Sequence, residues 1–143
     1  METADDPLAM LRALNATAAF NRWCGLTVDQ AERGRVEISL PWRADLGQYT
    51  GFLHAGVIGA LIDTACGYAA ATMVGRVLAA HFSVNCLRPA VGELFIAKAR
   101  VVKPGKTQVF TAAELYARAN GEDKLVATGE TLLSVVSGAP IAG

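Results

Sequence analysis

The chain has 143 residues, 52% of them hydrophobic and 18% charged, and its thirteen Lys and Arg balance thirteen Asp and Glu. One domain spanning residues 1–143 is expected, with enough apolar material for a core without disulfides or metal ions and without the basic field that holds a nucleic acid. Charged residues fall below the usual share of about 25%, so part of the surface is expected to be covered by self-association into a homo-oligomer, a dimer or a dimer of dimers.

The opening stretch, Met1 to Pro7, is acidic where a secretory signal is basic, and no apolar run follows it, which points to the cytoplasm. Asp5, Asp6 and Pro7 are helix-start residues. Behind them Leu8, Leu11, Ala18 and either Leu14 or Asn15 recur at helical spacing, so a short amphipathic helix is expected over 8–20. Val36, Ile38 and Leu40 alternate with Arg35, Glu37 and Ser39 after the turn Glu32-Arg33-Gly34-Arg35, and Leu26 to Ala31 supplies the partner of a hairpin. Pro41 to Gly51 reads as loop.

From His54 to Val74 the chain has no proline, many Ala and Leu, and apolar residues nearly all round, with Gly75 placed to end a long buried helix. The segment Phe52 to Val74 is apolar enough to suggest a membrane span, but Asp63 near its middle would cost about 2.5–3.5 kcal/mol on insertion, so a soluble chain is expected. His81 to Leu87 reads as a strand ending at Pro89. Phe95, Ala97, Ala99 and Val101 share one face of the next; Val109, Thr111, Ala113, Leu115 and Ala117 share one face of another; Leu125 to Val136 makes the last. Lys103-Pro104-Gly105-Lys106 and Asn120-Gly121 are the expected turns, each with Gly where a hairpin needs positive φ. The fold class is therefore α+β: one long helix buried on one face of an antiparallel sheet whose last four strands are joined largely by hairpins.

The chemistry concentrates in a stretch nearly free of charge. From Leu46 to Gly75 Asp63 is the single charged side chain, and a lone carboxylate on an apolar helix is costly unless something satisfies it. Its neighbours at helical spacing, Gly59, Ala60, Gly67 and Ala70, are small and leave room beside it for a substrate. The alternative is that Asp63 caps a neighbouring backbone or pairs with an arginine across an interface, and both readings stay open. At the head of the same helix, Gly51-Phe52-Leu53-His54-Ala55-Gly56 puts a histidine near the N-cap, where the backbone N–H groups of Ala55 and Gly56 can polarise a carbonyl; His54 itself serves either as a cap or as part of the site. Seven residues of helix put about 10 Å between Gly56 and Asp63, too far to act on one small group within a chain. A two-fold dimer that sets the start of one helix beside the middle of its partner would join them twice.

Three segments carry a resemblance. Gly51-Phe-Leu-His54-Ala-Gly56-Val-Ile-Gly-Ala-Leu61-Ile-Asp63, then Asn85-Cys-Leu-Arg88-Pro89-Ala90, then Lys103-Pro-Gly-Lys-Thr107 are similar to the hotdog-fold acyl-CoA thioesterases of the phenylacetate-degradation type, over nearly all the chain from Trp23 to Val136. The resemblance implies a hotdog fold and hydrolysis of an acyl-CoA to free acid and CoA, with no cofactor. It implies that Asp63 activates water or attacks the thioester carbonyl, that Ala55 and Gly56 donate at the helix start, and that Gln48, six residues before His54, helps to hold the water or the carbonyl. Two departures accompany it. The usual His-Gly-Gly is His54-Ala55-Gly56, and a Ser or Thr often found at the start of the next strand is Ala79, with His81 where an Asp follows.

Charge places the carrier. The acyl end enters the uncharged region around Asp63, so the CoA phosphates are expected where cations resume, at Arg88, Lys103 and Lys106. Ordinary solvated surface charge is the alternative for each. Other chemistries are poorly supplied. Gly105-Lys106-Thr107 resembles the end of a phosphate-binding P-loop, but Arg100 stands where its first glycine belongs. Cys24, Cys66 and Cys86 are odd in number and widely spaced, which encodes neither a disulfide framework nor a zinc finger and suits a reducing compartment. No histidine shares the helical face of Cys66, and His81 and Cys86 sit on opposite faces of their strand, so no nucleophile pair or metal cluster is expected. Two rival functions remain beside hydrolysis: a hotdog protein that holds acyl-CoA as a sensor or scaffold without turnover, and a hydratase for which His54 is the available second acid/base group. The acyl group, and CoA against an acyl carrier protein, are not written in the sequence.

Overall fold

In the computed structural model, which describes residues 6–136, the N-terminal helix is two helices, α1 (Pro7–Asn15) and α2 (Ala19–Cys24). The acidic start up to Asp5 lies outside the described residues. Asp6 caps α1 by accepting from the Ala9 N–H at 3.1 Å. The single helix expected over 8–20 breaks because the Thr17 hydroxyl donates to the Leu14 carbonyl at 2.7 Å, and the Thr17 and Ala18 amides turn back onto the Leu14 and Asn15 carbonyls. Asn15, not Leu14, takes the inward position. It donates to the Leu26 carbonyl and accepts from Asn21 and Tyr68, while Leu14 is exposed.

β1 (Thr27–Glu32) and β2 (Arg35–Pro41) form the expected hairpin, with Gly34 at φ +82° in its turn. The following loop holds a short 3-10 turn, Ala44–Leu46, that buries Leu46. α3 (Ala55–Val74) starts behind His54 and ends at Gly75, where φ is +83° and ψ −136°. The rest is strand: β3 (Val77–Cys86), four residues longer at its start than expected, then β4 (Leu94–Lys103), β5 (Gln108–Ala119) and β6 (Glu122–Val135).

All pairings are antiparallel, in the order β1-β2-β4-β5-β6-β3. β3 therefore does not form a hairpin with β4, as its place in the chain suggested. Both edges of β4 are taken by β2 and β5, so the strand that follows α3 pairs with the free edge of β6, and residues 87–93 carry the chain back across. The turns also divide by cause. Asn120 (φ 53°) and Gly121 (φ 76°) make the positive-φ hairpin turn, whereas Gly105 does not have positive φ; a Cβ there would sit 2.5 Å from the Gln108 carbonyl oxygen, so glycine is required for space.

α3 lies across one face of this sheet and touches every strand. On β5 the residues that face it are Val109, Thr111, Ala113, Leu115 and Ala117, all buried, as their alternation implies. Ala113, Leu115 and Ala117 pack with Phe95 and Ala97 of β4 against Ile58, Leu61, Ile62, Ala65 and Ala69 of α3 in the main core, while Val109 joins Ala70 and Leu133 in a smaller cluster. By length and composition α3 could cross a membrane, but half of it is buried inside the chain, where it serves as the core helix. The architecture is the helix-on-sheet hotdog fold.

Helix and sheet pack tightly at Gly129 of β6, where a Cβ would lie 2.6 Å from Ile62 Cγ2 and 2.7 Å from the Ser83 carbonyl oxygen. Gly129→Ala is expected to lower the unfolding free energy by about 1–3 kcal/mol through overpacking, read as a fall in the urea midpoint at unchanged slope.

Candidate active site

Asp63 sits on the side of α3 that overlooks the β6–β3 edge. One turn before it, Gly59 lies against the ring of Phe82, whose Cε2 would be 3.3 Å from a Cβ; one turn after it, Gly67 faces Leu133 Cδ2 at 4.0 Å. The room expected around the carboxylate is thus partly filled, because Phe82 covers Gly59 and Ala70 is fully buried. Asp63 itself is half-buried, and its Oδ1 is sealed from solvent without a hydrogen-bond partner among the described residues. Burial pushes its carboxyl above the usual carboxylate range.

His54 is the N-cap of α3, and its Nδ1 accepts from the Gly56 N–H at 2.8 Å. That bond requires a bare Nδ1, so the neutral ring carries its proton on Nε2. It also changes the donor inventory at the helix start. The Gly56 amide, expected to be free, is held by the imidazole, and the Val57 and Ile58 amides close onto the His54 carbonyl. Among the described residues the Ala55 N–H is left as the open donor. Glycine at 56 suits this arrangement, since a Cβ there would approach Nδ1 to 3.0 Å. Gln48 stands on the preceding loop, its amide bonded to the Phe52 carbonyl at 2.8 Å and its side chain exposed, and the His54 amide returns to the Leu46 carbonyl. Gln48, His54, Ala55 and Gly56 are thus one group at the head of α3. Asp63 is not in it: eight residues from Ala55 is about 12 Å of helix.

The three cations divide. Lys103 and Lys106 flank the β4–β5 turn, whereas the Arg88 amide bonds to the Val126 carbonyl at the other end of β6; the Val135 amide reaches Thr107. Nine residues of strand between Val126 and Val135 are about 30 Å, so within one chain Arg88 cannot share an anion with the two lysines. Arg88 instead lines an open cleft of about 350 Å³ with Glu122 and Lys124 among its walls.

Cys66 is fully buried on α3, beside the hydroxyls of Thr111 and Thr131, and burial raises its thiol pKa. Cys86 is exposed. The register turns His81 to the sheet face away from α3 and Cys86 toward it, as strand parity implied. Phe82 and Thr131 were not singled out from the sequence, although Thr131 had a visible signal: a hydroxyl among Ala127, Gly129 and Leu133, the small and apolar residues on the inward face of β6.

Comparison with known proteins bears on this arrangement. The family model described as Thioesterase superfamily matches residues 50–124, a span that holds both the head of α3 and Asp63. A thioesterase family protein from Silicibacter pomeroyi is 39% identical with a TM-score of 0.87, covering 89% of this chain and 96% of its own. A candidate esterase of Halobacterium salinarum is 33% identical over 112 residues, 73% of this chain and 74% of the relative. The PaaI protein of the E. coli phenylacetic acid degradation operon shares the fold, with a TM-score of 0.85 over 94% of this chain and 97% of its own at 20% identity.

The raised Asp63 carboxyl has a consequence for stability. The folded chain holds this proton to higher pH than the unfolded chain, whose carboxyl titrates near 3.8, so the group's contribution to stability falls as pH rises through that interval. Asp63→Asn is therefore expected to raise the urea midpoint at neutral pH, with the gain disappearing as pH drops below 3.8.

Proposed function

The chain belongs to the thioesterase superfamily, and from that premise we propose that it hydrolyses an acyl-CoA thioester to a free acid and CoA at a site built around Asp63. The observation that carries the reading is Asp63 itself: the single charged side chain between Leu46 and Gly75, half-buried, on the helix whose head keeps an open N–H at Ala55. Within the superfamily, the run from Gly51 to Asp63 supports the phenylacetate-degradation type.

As general base, Asp63 takes a proton from water while the water oxygen bonds to the thioester carbon; as nucleophile, its carboxylate bonds to that carbon directly, and water later cleaves the anhydride. Either way negative charge moves onto the carbonyl oxygen, where an N–H at a helix N-terminus is worth most. The tetrahedral intermediate collapses by breaking the C–S bond; in the general-base route the thiolate takes up the proton held by Asp63, and in the nucleophilic route the water that later cleaves the anhydride supplies it. Ala55 supplies the N–H, His54 and Gly56 shape the helix head, and Gln48 orients the water or the carbonyl. About 12 Å of helix separates Ala55 from Asp63, so the two act together only when α3 of one protomer starts beside the middle of its partner's α3. β3, a ten-residue edge strand with exposed Leu78 and Phe82, is the surface that favours such a homo-oligomer. Arg88, Lys103 and Lys106 receive the CoA phosphates, and because of their separation Arg88 acts with the lysines only across two chains. The reaction runs in the cytoplasm.

A second reading, an acyl-CoA-binding protein without turnover, gains from the engagement of the Gly56 N–H by His54, which removes one donor from the helix head. Thiol release from a panel of acyl-CoAs separates the two: release supports hydrolysis, and binding without release supports the sensor.

Asp63→Asn keeps the volume and removes the base, and is expected to lower kcat at least ~100-fold in a folded protein. Near-normal turnover would remove Asp63 from the mechanism. Ala55→Pro tests the donor cleanly, because proline suits the first helical position and His54, at φ −62° and ψ 137°, already has the conformation a residue before proline prefers. It is expected to cost about 10²–10³ in kcat. Mixed oligomers of the two variants should recover part of the activity; a mixture as inactive as its parents after proven subunit exchange would contradict the shared site.

A further inference from the structure

Two buried side-chain atoms lack a hydrogen-bond partner among the described residues, Asp63 Oδ1 and Thr131 Oγ1. One is an acceptor and the other can donate. Their elements bring them to the same place. On α3, Gly59 meets Phe82 and Gly67 meets Leu133, so Asp63, between the two glycines on one helical face, lies over the strip between Phe82 and Leu133. Thr131 occupies that strip: it pairs with Phe82 across the β3–β6 ladder, stands two residues before Leu133 on the same inward face, and is 1% exposed. Cys66, one turn beyond Asp63, touches the Thr131 side chain and feels the Asp63 charge, which ties both to one neighbourhood.

The competing partners are poor. The Thr131 hydroxyl also reaches the Cys66 sulfur, but a protonated thiol is a weak acceptor, and the Thr111 hydroxyl is committed to the Thr131 carbonyl at 2.8 Å. Leaving both oxygens buried and unpaired is costly, more so for the carboxylate, and a shared partner relieves both.

We infer that Thr131 is a positioning residue for Asp63, its hydroxyl donating to Oδ1 through one bridging water. Held at Oδ1, the carboxylate has one orientation left, with Oδ2 turned outward to act. The donor also favours the ionised form against desolvation, which keeps an acid on an apolar helix in its basic state. The other titratable side chains on the packed elements leave this role to Thr131: Cys66 is a thiol on α3 itself, and the register turns His81 on β3, Glu130 on β6 and Glu114 on β5 to the opposite sheet face.

This rests on the reading of Asp63 as the acting carboxylate, and the test separates the two. The Asp63 carboxyl is titrated by ¹³C NMR in uniformly labelled protein, its resonance assigned by loss in Asp63→Asn. Thr131→Val, which removes the hydroxyl and keeps the shape, is expected to move its midpoint up by about one pH unit, while Thr131→Ser leaves it near wild type. In kinetics, the acid limb of kcat/KM should follow the same shift with KM little changed. Should Thr131→Val fold poorly, Thr131→Ala provides the same deletion. An unchanged midpoint in a folded variant without the hydroxyl, or a serine variant displaced as far as valine, overturns the inference. A wild type that releases no thiol from any acyl-CoA overturns the function alone, since the titration still reads the carboxyl.

Discussion

The depth at which α3 lies on the sheet is set where Ile62 rests over Gly129. A Cβ at 129 would fall 2.6 Å from Ile62 Cγ2, so the bare glycine lets the Ile62 side chain seat against the β6 backbone, and the residues on either side of Ile62 inherit their surroundings from that approach. Asp63 is the next residue along. It is carried to the margin of the interface, where one oxygen is sealed and the side chain as a whole is half-exposed. A larger residue at 129 would lift α3, open the strip between Phe82 and Leu133, and let solvent reach the inner oxygen. The carboxylate's unusual state is therefore a property of packing between two elements more than of Asp63 itself.

The same helix divides its chemistry between two places. Its head offers partial positive charge and one open N–H; its middle offers a carboxylate. A single α-helix cannot fold these together, because its rise is fixed and keeps them about 12 Å apart, and the proposed site therefore calls on α3 of a second protomer. The small residues along α3 suit such an approach, and the unpaired edge of β3 lies on the same side of the molecule. His54 adds a constraint on the head. By holding the Gly56 N–H it leaves Ala55 with the open N–H at the helix head among the described residues.

Much of the fold was legible because it follows from local periodicity. Alternation placed all five inward residues of β5 correctly, the apolar run with Gly75 after it bounded α3, and Asn120-Gly121 marked its turn. Misreadings arose where side-chain hydrogen bonds or pairing partners decide. Thr17 broke a helix whose spacing continued through it. Gly105 was needed for space and not for positive φ, a distinction visible only once the Gln108 carbonyl is in position. β3 went to the far edge of the sheet because β4 had no edge left, which is a fact about the whole sheet.

The sequence by itself determined that a carboxylate stands alone on an apolar helix, that its head carries His54 and Gly56, and that about 10 Å must lie between them, since helical rise needs no tertiary information. Tertiary structure alone decided what surrounds those groups. Phe82 closes over Gly59, Thr131 arrives beside Cys66, one turn from Asp63, from a strand more than sixty residues later, the imidazole folds onto the Gly56 amide, and Arg88 is carried to the end of the sheet away from Lys103 and Lys106. Each depends on contacts between residues distant in the chain, and periodicity, which knows only neighbours at three, four or two residues, carries no trace of them.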